Sequence, residues 1–280
     1  MGKLFIVAGP IGNLNDITQR ALQTLRDVDG IVCEDTRQTI KLLNHFGIQK
    51  TMTSYHDFNE EQKAEQLATK LAGETTLALI SDAGTPAIAD PGYRLVRLCR
   101  QRGIPVVPIP GPNAAIAGLS ASGLPSDEFM FVGFLPSKKN ARRDKLAAIA
   151  NAACTLIFYE APHRIEEALE DMQEIFGDRE VCVGRELTKI HEELVIRTIS
   201  GHLGAILAGK GEYTLVVQPA ADPEPPDVKS LDDAIVTEFG HLTDTEGQPR
   251  RAAIKQLAKK YGRGAREVYA LIEASRDSGE

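Results

Sequence analysis

The chain has 280 residues, of which 42% are hydrophobic and 25% are charged, a globular profile that is long for one domain. Its formal net charge of −7 excludes a polyanion-binding surface over the whole molecule, so any nucleic-acid contact must be a local basic patch. The four cysteines lack metal-type spacing, and neither a secretory signal nor a membrane-spanning apolar run is found. We therefore expect a cytoplasmic protein.

The first part of the chain alternates strand-like and helical segments. Four short apolar runs predict strands, at 4–8, 30–34, 77–81 and 105–109. Four segments with apolar residues at helical spacing are interleaved with them, at 21–28, 39–46, 60–71 and 93–103. This alternation is typical of βαβ units and a mainly parallel sheet, so we predict an α/β domain over residues 1–112.

The second part is richer in strands and predicts a second α/β domain, with a mixed sheet, over residues 113–218. A connector at 110–125 opens with one tight helix. Further helices and strands follow it, with helices at 141–151 and 163–176 and strands at 129–134, 155–160, 180–184, 194–199 and 213–218. Prolines without apolar periodicity predict a stiff linker at 219–228, before a small basic helical unit at 229–280.

Three loops rich in Gly and Pro each follow a predicted strand, at 9–14, 81–92 and 110–116. Any one of them is well explained as a tight turn. Together they mark a site, because ligands of open α/β sheets bind where the carboxyl ends of strands meet and glycine allows close approach. None contains a phosphate-binding fingerprint or a basic residue, which favours a ligand that is not strongly anionic.

Ten short motifs occur in a fixed order along the chain: AGPIGNLNDIT, CEDTR, LISDAGTP, DPG, PGP, GLPSDEF, GFLP, LIFYEAPHR, RELTK and KGEY. On these motifs the chain resembles the tetrapyrrole-methylase superfamily of S-adenosylmethionine-dependent enzymes, over about residues 4–217. It is most similar to the branch whose members methylate the ribose 2′-hydroxyl of a decoding-centre cytidine in 16S rRNA of the small (30S) ribosomal subunit.

The resemblance implies an α/β, two-domain tetrapyrrole-methylase-like fold with a small helical C-terminal unit, usually as a homodimer, and S-adenosylmethionine in the cleft between the domains. It implies that Ile11 closes the first loop, that the 82–85 turn and Ile88 hold the methionine and ribose portions, and that Tyr159 faces the adenosine. Backbone contacts come from Ala115 and Ile116. The cofactor residues that it implies are Ile11, Asp82, Ala83, Gly84, Thr85, Ile88, Ala115, Ile116 and Tyr159.

Methyl transfer to a ribose hydroxyl requires in-line geometry and either a base or a cation at the oxygen. Candidates lie at predicted strand ends, in three groups: Glu34, Asp35 and Arg37; Glu160, His163 and Arg164; Arg185, Glu186, Lys189, Glu192 and Glu193. We predict that Lys189 stabilises the oxyanion or lowers the pKa of the hydroxyl, with Glu160 or Glu192 as base and Arg164 as a further candidate. Salt bridging at helix starts explains Asp35 better. The histidine spacing predicts no metal site.

Two basic patches stand out from the acidic background. The first lies at 137–145 and includes Lys138, Lys139, Arg142 and Arg143. The second lies at 248–270, where Arg251, Lys255 and Lys259 share one helix face. A solvated helix face is the simpler explanation of each, but two patches in an acidic chain favour contact with RNA phosphates.

These observations predict a cofactor-dependent 2′-O-methyltransferase of 16S rRNA, with the 30S subunit as partner. Two other functions stay open on the sequence alone. One is methylation of a tetrapyrrole or another small molecule, which requires no basic tail. The other is a non-catalytic RNA-binding assembly factor that keeps the fold without turnover.

Overall fold

The computed structural model describes residues 2–56, 59–205, 211–220, 228–245 and 247–277. It divides into two compact units, Met1–Ala220 and Ala221–Glu280. The first unit contains two five-stranded sheets, and the predicted boundary at residue 112 falls between them in sequence. Most of the predicted linker, residues 221–227, lies outside the described residues.

All strands of the first sheet are parallel, as predicted. Its strands are β1 Lys3–Val7, β2 Gly30–Cys33, β3 Met52–Ser54, β4 Thr76–Ile80 and β5 Val106–Ile109. Its helices are α1 Gln19–Asp27, α2 Thr36–His45, α3 Glu60–Ala72 and α4 Tyr93–Gln101. The short strand β3 was not predicted, because three residues are too few for an apolar periodicity to show.

The strand order β3-β2-β4-β1-β5 creates a switch point between β1 and β4. The chain leaves β1 toward β2 on one side and leaves β4 toward β5 on the other. A crevice therefore opens beyond the carboxyl ends of these two neighbouring strands, which is where open α/β sheets bind ligands. The loops that begin at Gly9 and Ser81 leave the sheet at this point.

The second sheet is mixed, with the order β6-β7-β10-β8-β9. Its strands are β6 Phe129–Phe134, β7 Thr155–Glu160, β8 Glu180–Arg185, β9 Glu193–Thr198 and β10 Tyr213–Val217. Its helices are α5 Ala114–Ser122, α6 Lys139–Ala148, α7 Ile165–Phe176 and the short α8 Ile199–His202. Because β10 runs antiparallel to both β7 and β8, the ends of β7 and β8 and the start of β10 share one sheet edge.

Helix α5 brings its first turn to this sheet edge. The Asn113 side chain caps the helix by accepting a hydrogen bond from the Ile116 N–H at 3.2 Å. Further along the helix, a Cβ placed on Gly118 would lie 2.9 Å from Thr214 Cγ2 on β10. The absence of a side chain at Gly118 therefore lets α5 pack closely on the strand whose first residues border the site.

The C-terminal unit contains the three predicted helices, α9 Val228–Gly240, α10 Arg250–Lys260 and α11 Ala265–Asp277. A π-helical turn, His241–Thr245, follows α9. The helices enclose their own apolar core, which includes Ile235, Leu257 and Val268. Across the part of the chain that is described, no helix combines the length and apolarity needed to cross a bilayer.

Candidate active site

Hydrogen bonds join the three Gly- and Pro-rich loops. The Gly9 N–H donates to the Gly84 carbonyl at 2.8 Å, and the Gly84 N–H donates to the Pro10 carbonyl at 3.3 Å. The Thr85 hydroxyl donates to the Pro112 carbonyl at 3.4 Å. Gly84 has a φ of +70°, which favours glycine, and a Cβ there would lie 3.3 Å from Ile11 Cγ2. The predicted convergence of the loops is therefore present in the structure.

A cavity of about 250 Å³ lies where these loops face the edge of the second sheet. From the first sheet it is lined by Ile11, Glu34, Asp82, Ala83, Gly84, Thr85, Ile88, Ala89 and Asp90. From the second half of the unit it is lined by Asn113, Ala114, Phe134, Tyr159, Glu186, Leu187, Lys189, Glu212, Tyr213 and Thr214. We call it the acidic cavity, because it carries five carboxylates and a single ammonium group among the described lining residues.

The charge of the acidic cavity decides which ligands it accepts. Five carboxylates repel a polyphosphate, whereas they attract a cation at close range. The structure therefore agrees with the expectation that the ligand is not strongly anionic. The carboxylates belong to Glu34, Asp82, Asp90, Glu186 and Glu212, and the ammonium group belongs to Lys189.

Asp90 is the most perturbed carboxyl of the acidic cavity. Burial, together with repulsion by Glu34, Glu212 and Asp82, raises its pKa to about 7, and a hydrogen bond with Ser81 opposes the rise. Burial also raises the pKa of the neighbouring Asp82. Asp90 lies in the DPG motif and was not among the predicted site residues. A perturbed carboxyl in a cleft is typical of a functional position.

Tyr159 at the end of β7 holds a fixed orientation in the cavity wall. Its hydroxyl accepts a hydrogen bond from the Ala115 N–H at 3.0 Å, which ties β7 to the first turn of α5. The rings of Phe131 and Phe134 contact it edge-on, with centroids 5.0 and 5.6 Å away. The tyrosine therefore presents its ring to the cavity, as expected for a residue that packs on a flat apolar or heteroaromatic group.

Two loops carry non-glycine residues in the left-handed region. Ala87 and Ala89, with φ of 64° and 62°, flank Ile88, and Glu186 and Thr188, with φ of 51° and 69°, flank Leu187. Each pair places an apolar side chain on the cavity wall. Such conformations cost about 1–3 kcal/mol each and cluster at functional sites. The sequence gave no sign of them because alanine, glutamate and threonine do not mark positive φ.

Lys189 follows this strained loop and borders the acidic cavity. Its Nζ donates to Glu186 Oε1 at 2.7 Å, which fixes the end of the side chain. Its stem lies against Gly12, where a Cβ would come 2.6 Å from Lys189 Cγ. Gly12 therefore leaves the room that the lysine occupies, and the predicted catalytic cation is held at the cavity from two sides.

Glu160 and Arg164 do not reach the cavity, contrary to prediction. Glu160 is fully buried, and its carboxylate accepts a hydrogen bond from the Ala161 N–H at 2.9 Å and lies 3.4 Å from Arg164 Nε. Arg164 donates to the carbonyls of Leu135 and Pro136 at 2.7 and 3.0 Å. The two residues tie the start of α7 to the end of β6, which is a structural role.

Three further predictions are also corrected. The Glu192 carboxylate accepts a hydrogen bond from the Thr188 N–H and holds the strained loop instead of lining the cavity. The N–H groups of Ala115 and Ile116 are taken by Tyr159 and Asn113. The cavity wall at this point is formed by the preceding residues, because the first turn of α5 already uses the amides that follow.

Two residues of the CEDTR motif have different roles, one in capping a helix and one in lining the acidic cavity. Asp35 caps α2 by accepting from the Arg37 N–H at 2.8 Å, and the Arg37 side chain holds the pKa of this carboxyl at about 2. The helix-start explanation of Asp35 is therefore confirmed. Glu34, one residue earlier, lines the acidic cavity. Throughout the described residues, no cluster of His, Cys, Asp and Glu suits a metal ion.

The basic patch at 137–145 is smaller than predicted. Arg142 is 2% exposed and lies 2.6 Å from Asp171 and 3.2 Å from Glu167 on α7, so the prediction that it contacts RNA is wrong. Arg143 also pairs with Asp171, at 3.1 Å, and with Glu174. These ion pairs hold α6 on α7, which a run of basic letters does not reveal. Exposed basic residues of this patch include Lys138 and Lys139.

The basic patch of the C-terminal unit stays on the surface. Arg251, Lys255 and Lys259 are all exposed on α10, on the one face that their spacing predicts. Arg251 and Lys255 border a groove of about 630 Å³ between α10 and α11. The groove also contains apolar Ile254 and the half-exposed Tyr269, so charged and flat surfaces lie side by side.

Two α/β halves that share one acidic cleft define an enzyme of the two-domain α/β class. The sequence profile of the family described as Tetrapyrrole (Corrin/Porphyrin) Methylases matches residues 3–204, and the chain belongs to this family. It is a methyltransferase, and its cofactor is S-adenosylmethionine.

Two relatives illustrate the similarity. The chain is 45% identical to a Halalkalibacterium halodurans protein, over 96% of this chain and 93% of the relative. It is 59% identical to a Vibrio cholerae protein, over 68% of this chain and 67% of the relative. Both relatives are named ribosomal RNA small subunit methyltransferase I.

Solved structures show the same fold at low sequence identity. The methyltransferase CobJ superposes with a TM-score of 0.61 over 79% of this chain and 95% of its own, at 16% identity. Diphthine synthase superposes with a TM-score of 0.61 over 78% of this chain and 90% of its own, at 15% identity. The α/β tetrapyrrole-methylase-like fold that the sequence predicts is therefore confirmed, and the predicted helical C-terminal unit is present in the structure.

The acidic cavity fits the cofactor. S-adenosylmethionine carries a sulfonium and an ammonium group, which five carboxylates attract, and an adenine ring, which suits Tyr159. Gly84 leaves a cradle beside Ile11 that a larger residue would fill. Of the predicted cofactor residues, those that line the cavity are Ile11, Asp82, Ala83, Gly84, Thr85, Ile88 and Tyr159.

Several lining residues were missed by the sequence analysis. Glu212 lies in the KGEY motif and Asp90 in DPG, so two motifs that carried the resemblance also contained unassigned site residues. Phe134, the last residue of β6 and the second of the GFLP motif, also lines the cavity. A charged residue directly at a strand end was the signal available for Glu212, which precedes β10.

Proposed function

We propose that this chain transfers a methyl group from S-adenosylmethionine to the ribose 2′-hydroxyl of a decoding-centre cytidine in 16S rRNA. The observation that carries the proposal is the acidic cavity ending at Lys189, a cation held at the border of a site for a cationic methyl donor. The names of the relatives support rRNA of the small subunit as the substrate. This substrate also supports a cytoplasmic location.

The cofactor supplies a methyl group whose bond to sulfur breaks as a bond to the ribose oxygen forms. The methyl donor would be held by Ile11, Gly84 and Thr85, because hydrogen bonds join the loops that carry them. The Lys189 ammonium stabilises the negative charge that develops on the ribose oxygen as its proton leaves. Asp82 and Glu212 line the acidic cavity together with Lys189 and would accept that proton, in place of Glu160 and Glu192.

RNA contacts outside the cleft are proposed for the exposed basic residues. Arg251, Lys255 and Lys259 on α10 would contact phosphates, and Lys138 and Lys139 form a second, smaller surface. The sequence contains no tryptophan and only 5% aromatic residues, so phosphate contacts and RNA shape would supply most of the affinity.

The test is methyl transfer from labelled S-adenosylmethionine to 30S subunits and to naked 16S rRNA, with the full chain and a chain truncated before residue 229. We expect label in alkali-resistant ribose, about tenfold less after truncation. If both chains bind the cofactor but methylate neither RNA, the result would contradict the proposal and favour a small-molecule methylase. Absence of cofactor binding would favour the non-catalytic assembly factor.

A double variant tests the basic patch within the full chain. Arg251→Ala with Lys255→Ala should raise the KM for 30S subunits about tenfold and reduce the salt slope of binding by about 1.5, because two phosphate contacts are lost. The Kd of the cofactor should not change. Arg20→Ala with Lys70→Ala, which removes two exposed basic residues from α1 and α3, is the matched control. If the two double variants show the same salt slope of RNA binding, α10 does not contact the RNA.

We further propose that the chain forms a homodimer. Phe129 and Met130 on the edge strand β6 are 43% and 41% exposed, and exposed apolar side chains on an open edge are suited to a partner. Light scattering should give the mass of two chains, and Phe129→Lys should give the mass of one. A wild-type chain that stays monomeric at micromolar concentration would contradict the dimer.

A further inference from the structure

A second cavity, of about 620 Å³, opens beside the acidic cavity. The two cavities share a wall formed by Ile11, Asp82, Ala83, Lys189 and Glu212. A molecule in the second cavity would therefore face a molecule in the first at the wall that contains Lys189, Asp82 and Glu212. Because the first cavity fits the methyl donor, the second lies where an acceptor must be.

The far wall of the second cavity comes from one face of α2. Gln38, Lys41 and His45 recur at spacings of three and four residues and lie on the same side of the helix, together with Leu42. The Lys41 Nζ donates to Gln38 Oε1 at 3.0 Å. An ammonium group, an amide and an imidazole thus line the wall that the acidic cavity does not share.

The opposite wall of the second cavity is apolar and belongs to the segment that follows β1. Pro10, Gly12 and Leu14 form it, and Leu14 is 38% exposed. The second cavity therefore has an apolar side and a polar side, and the polar side carries the Lys41 ammonium group. This combination suits a nucleotide, which has a flat ring, hydrogen-bonding edges and a phosphate. Its volume lies within the range of small-molecule sites, about 300–1,000 Å³.

We propose that this second cavity receives the target nucleotide of the RNA, with Lys41 on its phosphate and its 2′-hydroxyl toward Lys189. The inference rests on the proposed function and adds the place where the acceptor binds. In this arrangement the base lies between Leu14 and the Gln38 side of α2, and the ribose lies at the shared wall. Gly12 contributes by leaving room for the Lys189 stem along that wall.

The charges of the two cavities explain why the methyl donor would bind in the first and the target nucleotide in the second. The acidic cavity has five carboxylates, which repel a phosphate, so an RNA backbone cannot follow the ribose into it. The second cavity adds the Lys41 ammonium group to that of Lys189 and retains only the two shared carboxylates. The phosphate is therefore attracted to the α2 side, and the hydroxyl alone reaches the wall at which methyl transfer occurs.

Two variants test the proposal on the full chain. Lys41→Glu reverses the charge of an exposed residue, and Leu14→Trp fills the second cavity without changing a residue that lines the acidic cavity. For each we expect kcat/KM for 30S subunits to fall at least tenfold, mainly through KM for Lys41→Glu. The cofactor Kd, measured by calorimetry, and the melting temperature should stay near the wild-type values.

Lys70→Glu is the matched control, since it reverses an exposed lysine on α3 that borders neither cavity. If Lys41→Glu and Leu14→Trp retain wild-type kcat/KM while wild type methylates the subunit, the nucleotide does not bind here and the proposed function stands. A wild-type chain that methylates no RNA would overturn both. A cofactor Kd that weakens tenfold in both variants would assign the second cavity to the cofactor instead.

Discussion

Replacing Lys189 with methionine should lower kcat for rRNA methylation by about 10²–10³-fold. Methionine keeps an unbranched stem against Gly12 but removes the charge that stabilises the developing oxyanion. Cofactor binding should be unchanged or slightly tighter, because the acidic cavity loses its ammonium group and attracts a cationic donor more strongly. Single-turnover kinetics on 30S subunits and calorimetry with the cofactor measure the two quantities.

Two companion variants separate charge from structure. Lys189→Ala removes both charge and stem and should lose at least as much activity as Lys189→Met. Lys70→Met removes an exposed ammonium group elsewhere and should retain wild-type activity. Wild-type turnover by Lys189→Ala would exclude the lysine from catalysis and leave Asp82 and Glu212 to act without a cation.

The fold could be predicted from the sequence because its signals are local. β4 and β10, for example, are continuous buried runs, and Gly103 and Gly177 end helical patterns with positive φ. Such features depend on residues close in sequence. The short strand β3 has only three residues, each of intermediate burial, so it gave no comparable pattern.

The site could be predicted only in part, because side-chain partners are distant in sequence. Ile11, Gly84 and Tyr159, which the resemblance assigns to the cofactor, line the acidic cavity. They could not show that Glu160 is directed into the interior beside Arg164, since alternate strand residues face opposite sides and a one-residue difference decides the direction. Arg142 was misjudged for a different reason, because its partner Asp171 is distant in sequence and lies on another helix.

The perturbed carboxyl in the acidic cavity connects stability with function. Replacing Asp90 with asparagine should stabilise the protein at pH 8 by about 1–2 kcal/mol, allowing for the solvent screening of a half-buried group. The folded-state pKa of about 7 is above the unfolded value of 3.8, so ionisation opposes folding. The gain should therefore be absent near pH 4, grow as pH rises toward 7 and be complete above it.

The same substitution should weaken cofactor binding about 10- to 100-fold at pH 8, because one carboxylate near a cationic ligand is lost. Below pH 6 the wild-type carboxyl is largely protonated, so the two proteins should bind alike, and wild-type affinity should rise with pH through 7. Calorimetry from pH 5.5 to 8.5 and thermal melting measure both effects. Asp144→Asn, an exposed control on α6, should change neither.

A lower melting temperature of Asp90→Asn at pH 8, or unchanged cofactor affinity there, would contradict the assignment. Loss of stability would mean that the carboxylate is held by favourable contacts, and unchanged affinity would mean that it does not face the donor. The expected pair, greater stability with weaker binding, arises because burial and the neighbouring carboxylates both disfavour the ionised form of Asp90 when no cofactor is bound. A bound cation offsets these effects, so the acidic cavity should favour the methyl donor over a neutral analogue.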